Sequence, residues 1–400
     1  MRVKETIFFL GGILLITLVL VDVFKIKRPL SFTRSEAAGV KETATPADGV
    51  KSPATIPAIN IYANANTGMF SDATKGALPR VYVPNSEDGT VSVIDPSTYK
   101  VVDTFKTGTL PQHVVPSYDL KTLWVLNNES NTVTPINPAT AKPGKAIHVT
   151  DPYNLYFTPD GQFAIVVCEA HRQLEFHDPH TMKLVEIMPV KCKGLNHMDF
   201  TQDNRYGVVT CEFSGQLMKF DVVKHKVIGY LSLGTRKTSM PQDIRLSPDG
   251  LTFYVADMLR DGVVLIDAGN FREIGFIPTG IGTHAVYPSR DGKYFYVSNR
   301  GCHHLNCPPH GPGNITVIDP KTQTIATTWP IPGGGSPDMG NVNGNGTELW
   351  LSGRYDSEVY VFNTANGALT HRIKVGDGPH GLTVWPQPGQ FSLGHTGNMR

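Results

Sequence analysis

The sequence predicts an all-β protein, a seven-bladed β-propeller whose blades are four-stranded antiparallel sheets. We expect the N- and C-terminal strands of the propeller to pair and close the ring. An N-terminal transmembrane anchor is predicted to precede it. Three observations predict the ring: a repeated strand ending, a repeated turn and two complementary chain ends. The ending is an alternating apolar strand followed by Asp or Asn and a turn, and it occurs at Asp95, Asn137, Asp178, Asp221, Asp267, Asp319 and Asn363. Successive endings lie 41 to 52 residues apart, which is typical of a propeller blade.

The repeated turn predicts the strands within each blade. An Asp-Gly or Asn-Gly turn precedes a β-branched or aromatic strand at 158–169, 247–257, 289–299 and 343–353. This pattern is the strongest short-range signal of a β-hairpin. No stretch of a repeat has helical periodicity, so we expect about four strands in each.

The chain ends predict how the ring closes. Residues 80–86 begin the first repeat without an inner strand, and residues 380–386 form an inner strand with no blade after it. Pairing of these two segments would complete the seventh blade and remove a free sheet edge. We therefore assign residues 79–386 to the propeller. The tail, 387–400, continues past closure and is expected to lie across the ring, with His395 either reaching the channel mouth or hanging free.

The first thirty residues predict a membrane anchor. Residues 7–21 are almost entirely apolar, and with 22–24 the run reaches the lower limit of about 17 residues for a spanning helix. A cleaved signal peptide is the alternative, but its small-residue site at 35–37 lies far beyond the apolar run, behind three basic residues. We predict an uncleaved single-pass anchor at 1–30, with the propeller periplasmic or extracellular. The flanking charges are balanced and do not fix this orientation.

Composition separates the anchor from the next segment and excludes one class of partner. Residues 31–78 are rich in Ala, Thr and Pro and predict a flexible tether. The chain has 36 basic and 35 acidic side chains, which leaves no basic surface for nucleic acid. It contains no Cys-x-x-Cys-His motif, so covalent c-type haem is excluded.

Two phrases resemble a known repeat. RVYVPNSEDGTVSVIDPSTYKVVDTFKTG at 80–108 and ITVIDPKTQTIATTWPIPGG at 315–334 resemble the YVTN-type β-propeller repeat of YncE-like proteins. The resemblance covers 80–386 and implies the fold. It implies little about function, because the family spans surface-layer, export-associated and redox-associated proteins. LNHMDFTQDNRYG at 195–207 also resembles the propeller of d1-haem-associated proteins.

The loops at the start of the inner strands predict the functional site. These loops converge on the mouth of the central channel, where the family consensus prefers small residues. This sequence instead presents polar side chains, which we predict to bind a ligand: His113, Asn154, His197, Asp243, His284, Asp338 and His380. Neutral imidazole suits Zn, Cu or Fe. The candidate metal ligands are therefore His113, His197, His284 and His380, and the alternative is an unoccupied polar rim.

The cysteines offer two further hypotheses. Cys168 and Cys211 occupy the same position in neighbouring blades, and Cys192 lies between those blades. A disulfide from Cys192 to either one, a buried thiol, and thiolate ligation beside His197 all remain open.

The second hypothesis concerns an insertion at 301–310. It carries weaker candidate metal ligands at Cys302, His303, His304, Cys307 and His310. A disulfide between Cys302 and Cys307 is the favoured interpretation of this segment.

Together these patterns predict a membrane-tethered, extracytoplasmic binding module rather than an enzyme. A protein or small-molecule ligand would bind at the channel mouth, and the cofactor is unknown apart from a possible transition metal. One alternative is a metal-dependent oxidoreductase, hydrolase or lyase with a His-lined site. Another is a structural protein of cell-envelope assembly.

Overall fold

A computed structural model describes residues 60–400. In this range the strands form seven antiparallel sheets, which we call blades 1 to 7, and the inner strand of each blade contacts those of its two neighbours around a ring. Six sheets have four strands, and in blade 2 the fourth strand is split into two short pieces. The predicted all-β, seven-bladed propeller of four-stranded antiparallel blades is confirmed.

Each blade begins with its inner strand, at the channel, and ends with its outer strand. In that order, blade 1 contains Thr383–Trp385, Arg80–Asn85, Thr90–Asp95 and Lys100–Lys106. Blade 2 contains Pro111–Pro116, Leu123–Asn127, Thr132–Asn137 and the pair Lys142–Pro143 and Ile147–His148. Blade 3 contains Pro152–Phe157, Ala164–Cys168, Gln173–His177 and Leu184–Pro189. Blade 4 contains Leu195–Phe200, Tyr206–Cys211, Gln216–Asp221 and Lys226–Ser232.

The remaining blades have the same order of strands. Blade 5 contains Pro241–Leu246, Thr252–Asp257, Gly262–Asp267 and Arg272–Pro278. Blade 6 contains Thr283–Pro288, Phe295–Asn299, Asn314–Asp319 and Thr324–Pro330. Blade 7 contains Pro337–Val342, Glu348–Gly353, Glu358–Asn363 and Leu369–Lys374. Three short 3₁₀ helices complete the secondary structure of residues 60–400: Ala63–Ala65, Asp72–Thr74 and Glu212–Ser214.

Blade 1 closes the ring with strands from both ends of the chain. Thr383–Trp385 pairs antiparallel with Arg80–Asn85, and Arg80 lies opposite Trp385. Val81 and Val384 pack in one buried cluster with Trp350 of blade 7. The apolar faces of neighbouring blades thus bury each other, and the C-terminal segment supplies the inner strand that blade 1 would otherwise lack.

The inner strands begin with a β-bulge in most blades, and this bulge positions the site. The pairing register shifts between Pro111 and His113 in blade 2 and between Leu195 and Met198 in blade 4. Blades 5, 6 and 7 shift at the equivalent place. A bulge re-aims the side chains beside it, which lets residues at the start of the inner strands point toward the axis.

The predicted anchor at 1–30, and the predicted tether up to residue 59, lie outside the described residues. Among residues 60–400 no helix is long and apolar enough to cross a membrane. Residues 60–78, the end of the predicted tether, pack against the ring. The buried Tyr62 donates a hydrogen bond from its hydroxyl to the carbonyl of Leu246 at 2.8 Å, and Phe70 forms a β-bridge with Gly389.

Residues 390–400 form a hairpin, which we call the C-terminal hairpin, and it enters the channel. Its two arms are joined by a bridge between Ser392 and Met399. At its tip, the backbone N–H of His395 donates to the carbonyl of Leu155 in blade 3 at 2.8 Å. The Thr396 hydroxyl donates to the carbonyl of Gly340 in blade 7 at 3.0 Å. The tip is therefore held between blades on opposite sides of the channel.

Candidate functional site

Histidines from four blades and from the C-terminal hairpin meet inside the channel. The ring centroid of His113 lies 4.9 Å from that of His380, 5.4 Å from that of His395 and 5.5 Å from that of His197. The centroid of His284 lies 6.0 Å from that of His380. None of the five side chains is more than 2% exposed. They form a packed layer across the channel rather than an open rim.

The seven residues predicted to bind a ligand all lie in this part of the channel. Each is at most 2% exposed, so packed side chains close the part of the channel that the repeat pattern predicts to be open. The C-terminal hairpin reaches this layer from the other end of the channel, because its backbone bonds to Leu155 and Phe157 in the second half of an inner strand. Asn154 contacts His197, whereas Asp338 contacts both His284 and His380. The four predicted metal ligands therefore divide into two groups, with His113 next to both.

One group brings three histidines to a common point. One ring nitrogen from each of His113, His197 and His395 lies within 4.8 Å of the other two. The Nε2 atom of each ring is buried and has no hydrogen-bond partner among residues 60–400. A tetrahedral ion with bonds of about 2.0–2.1 Å holds its ligand nitrogens roughly 3.4 Å apart. Inward movement of these rings, together with a change of tautomer in two of them, would be needed to hold such an ion.

The hydrogen bond made by Nδ1 of each ring determines which nitrogen of that imidazole carries the proton. Nδ1 of His113 lies 3.0 Å from the carbonyl oxygen of Tyr153, which only accepts. His113 therefore carries its proton on Nδ1 and a lone pair on Nε2. Nδ1 of His395 accepts from the Thr396 backbone N–H at 2.6 Å, and Nδ1 of His197 lies 3.0 Å from the side-chain amide nitrogen of Asn154. These two rings present Nε2–H instead.

The second group is organised by the carboxylate of Asp338. Nδ1 of His284 lies 2.7 Å from Oδ1, and Nδ1 of His380 lies 2.7 Å from Oδ2. The Arg300 guanidinium donates to Oδ1 from Nε at 3.0 Å and from Nη2 at 2.7 Å. Burial alone would raise the pKa of Asp338, but the charge of Arg300 and the close imidazoles of His284 and His380 outweigh it and hold the pKa well below its usual range. The carboxylate thus hydrogen-bonds Nδ1 of His380 and lies in close contact with Nδ1 of His284, so both imidazoles turn Nδ1 toward it and Nε2 away from it.

Burial keeps the five histidines uncharged. It lowers the pKa of His113 and of His284 to about 4. It lowers the pKa of His197, His380 and His395 well below the usual value of 6.5. Metal binding requires a neutral imidazole, and this layer supplies it at physiological pH.

The same shifts predict how stability depends on pH. Between pH 6.5 and about 4 the five histidines bind protons in the unfolded chain but not in the folded one, so the free energy of unfolding falls as the pH falls. Each contributes up to about 1.4 kcal/mol per pH unit. Burial raises the pKa of Glu169 to about 8, so below pH 8 the folded chain binds a proton at this carboxyl that the unfolded chain does not. This carboxyl therefore offsets the contribution of about one histidine to the fall in the free energy of unfolding. Urea unfolding of the metal-free protein at pH 7, 6 and 5 measures the trend. An unchanged free energy of unfolding between pH 6 and 5 would contradict it.

Asp243 and Arg245 form a buried ion pair beside the three histidines. Nη1 of Arg245 donates to Oδ1 of Asp243 at 3.0 Å, and the backbone N–H of Val286 donates to Oδ2 at 3.0 Å. The same Oδ1 lies 3.5 Å from Nε2 of His395. Both carboxylate oxygens of Asp243 are therefore already engaged.

The structure joins four of the five cysteines in two disulfides, Cys192–Cys211 and Cys302–Cys307. Cys168 is a buried free thiol whose Sγ lies 3.1 Å from the carbonyl oxygen of Thr150. The sulfur atoms in the disulfides are bonded to each other and carry no thiolate charge for a metal.

The histidines of the 301–310 insertion do not meet at one point. Nε2 of His303 lies 2.6 Å from Oδ1 of Asp261, whereas Nδ1 of His310 lies 3.6 Å from Oδ1 of Asp356. His304 is exposed. We therefore locate the candidate metal centre on the channel axis and not in this loop.

Sequence reasoning missed three contributors to the site and only raised a fourth as a possibility. Arg245 lies two residues after Asp243 on one inner strand, so period-2 alternation could have placed it facing the channel. Arg300 gave no such signal, since its contact depends on another blade. Tyr153 precedes the predicted Asn154, but it contributes its backbone carbonyl to His113, which no side-chain pattern reveals. His395 lies in a Gly-His-Thr-Gly turn far from any aligned position, and only the folded hairpin brings it to the axis.

Comparison with known proteins identifies the family. The chain belongs to the YNCE-like beta-propeller family, because the sequence model of that family matches residues 47–388. This confirms the resemblance drawn from the repeats. A search of curated proteins finds no match.

Solved structures with the same fold are distant in sequence. Hydrazine synthase from Kuenenia stuttgartiensis is 19% identical, with a TM-score of 0.55, over 67% of this chain and 87% of that one. The dihydro-heme d1 dehydrogenase NirN is 15% identical, with a TM-score of 0.56, over 80% of this chain and 77% of that one. A functionally unknown protein from Desulfotomaculum acetoxidans is 15% identical, with a TM-score of 0.61, over 76% and 98%. At these identities the similarity shows the fold alone.

Proposed function

We propose that this propeller is a metal-binding module that holds a transition-metal ion on its axis through His113, His197 and His395. The observation that supports the proposal is the convergence of three buried, uncharged imidazoles whose Nε2 atoms have no partner in the described chain. Buried polar atoms are almost always hydrogen-bonded. Three unpartnered nitrogens at one place therefore favour an occupant, and neutral imidazole suits Zn, Cu, Fe and Ni.

A water molecule is the competing occupant of the same place. One water accepts two N–H donors, in this case from His197 and His395, and donates to the lone pair of His113. A metal ion instead needs a lone pair on all three Nε2 atoms. Its binding would move two protons to Nδ1 and break the bonds from Asn154 and Thr396. The test must therefore distinguish an ion from a water.

The enclosure of the site favours retention of an ion over catalysis. A catalytic metal keeps a coordination position open to substrate. The three ligands of this site are 0% exposed, and the hairpin tip covers one side of them. An ion at this place would be held by the ring and released only when a covering element moves.

The location of the module is part of the proposal. The apolar run at 7–24 supports a membrane tether. The two disulfides support an oxidising compartment, because such bonds are rare in the reducing cytosol. We propose that the ring is displayed outside the cytoplasmic membrane.

Metal content of the full-length protein tests the proposal. We expect about one transition-metal ion per chain by elemental mass spectrometry after purification in detergent without a polyhistidine tag. Substitution of His113, His197 and His395 by alanine should reduce this to background. A control that replaces three exposed histidines, His148, His171 and His180, should retain the ion. Equal metal content in the two triple variants, or none in the folded wild type even after reconstitution, would refute the proposal.

A further inference from the structure

We propose that the ion held on the axis is monovalent copper rather than a divalent metal. This inference rests on the proposed metal site and adds the charge of its occupant. It follows from the charged groups around the three histidines, because a buried ion needs either ligands or neighbours that compensate its charge.

The three ligands themselves carry no charge. His113, His197 and His395 are fully buried, and an imidazole nitrogen binds a metal ion only in its neutral form. Neither a carboxylate nor a thiolate belongs to the group of nitrogens that lie within 4.8 Å. Compensation of a second positive charge would have to come from the surrounding side chains.

The two nearest carboxylates already have partners. Asp243 accepts from Arg245 on Oδ1 and from the Val286 N–H on Oδ2. Asp338 accepts two bonds from Arg300 and contacts the imidazoles of His284 and His380. Neither carboxylate is free to neutralise an additional cation.

Positive groups equal or exceed these carboxylates in number. Arg245 and Arg300 balance Asp243 and Asp338, and Arg354 adds a third guanidinium at 4.0 Å from Asp338. Nη1 of Arg354 is buried and makes no hydrogen bond within residues 60–400. Asp199 is paired with Arg400 in the same way. The remaining buried carboxyl, Glu212, accepts only from the side-chain amides of Asn196 and Gln242, and burial raises its pKa. The described layer therefore holds at most one carboxylate without a cationic partner.

This balance discriminates between ions by their charge. The cost of moving an ion from water into a medium of low dielectric rises with the square of its charge, so a dication pays about four times the penalty of a monocation. Among monovalent ions, alkali metals take oxygen ligands, whereas Cu(I) takes imidazole in two- or three-coordinate sites. Three neutral nitrogens in a dry, charge-balanced channel fit Cu(I).

Competition experiments on the full-length protein test this inference. Under anaerobic, reducing conditions we expect one Cu(I) per chain in competition with a chromophoric Cu(I) chelator, and one Ag(I) as its redox-inert analogue. Zn(II) and Co(II) should bind at the same site at least 100-fold more weakly. Zn(II) binding at one per chain with affinity equal to that of Cu(I), and lost in the triple His variant, would overturn the monovalent assignment and leave the metal site standing. Failure of every ion to bind would overturn both.

Removing one positive charge beside the site tests the argument from charge, because the ratio of Cu(I) to Zn(II) affinity should change only if that charge acts on the bound ion. Arg354→Gln removes the guanidinium that lacks a hydrogen-bond partner for Nη1 in the described chain, and we expect it to narrow the gap between Cu(I) and Zn(II) affinity by about tenfold. The exposed Arg236→Gln removes the same charge far from the channel and should leave the gap unchanged. Arg245→Gln serves as the second variant if Arg354→Gln fails to fold. An unchanged gap in a folded channel variant would contradict the argument from charge.

Discussion

Replacing Gly394 by alanine is expected to expel the tip of the C-terminal hairpin from the channel and to weaken metal binding by about 100-fold. A Cβ atom at this position would lie 2.4 Å from the carbonyl oxygen of Leu155 and 2.4 Å from Cα of Tyr156. Both are backbone atoms that cannot move aside. Gly394 also has a φ of 105°, which residues with a side chain rarely adopt. The tip that carries His395 could then no longer seat.

Metal competition and limited proteolysis measure this effect together. We expect Gly394→Ala to lose the ion and to become cleavable near its C-terminus, while the circular dichroism of the ring is unchanged. Gly229→Ala is the matched control, because a Cβ there meets nothing within 4 Å. If Gly394→Ala bound metal as tightly as Gly229→Ala, His395 would not be a ligand.

The second large effect concerns the carboxylate that organises the other two histidines. Asp338→Asn keeps the size of the side chain but removes its charge, and we expect it to lower the free energy of unfolding by about 3–5 kcal/mol. Arg300 is 3% exposed and would be left without a charged partner. His284 and His380 would also lose the group that orients them.

Urea unfolding at pH 7 measures this loss. Asp291→Asn is the matched control: Asp291 is half-exposed and pairs with Lys293 at 2.9 Å, so its replacement should cost about 1 kcal/mol or less. Similar values for the two variants would show that the Asp338 carboxylate contributes little beyond its shape.

The fold was predictable because its signals are local. The Asp-Gly turns and the alternating strands that end at Asp95, Asp267 or Asp319 each specify a hairpin within a few residues. Repetition of these signals at nearly constant spacing then specifies the ring. Closure followed from the two unmatched ends, residues 80–86 and 380–386.

The site was predictable only in part, because contacts across the channel are not local. Alignment of the repeats placed His113 and His197 at the same level of the inner strands of blades 2 and 4. It could not show that Asp338 binds Arg300, which follows a different strand, or that the hairpin carries His395 to the axis. Nor does polarity reveal burial, because the residues predicted to line an open mouth are at most 2% exposed in the folded ring.

The central claim is that a metal ion lies on the axis between His113, His197 and His395. The most direct test is anomalous diffraction from crystals of the protein loaded anaerobically with Cu(I), recorded above and below the copper absorption edge. The account predicts one strong anomalous peak within bonding distance of Nε2 of all three histidines. Non-anomalous density of a water molecule at this point, or a copper peak only at the 301–310 insertion, would contradict it.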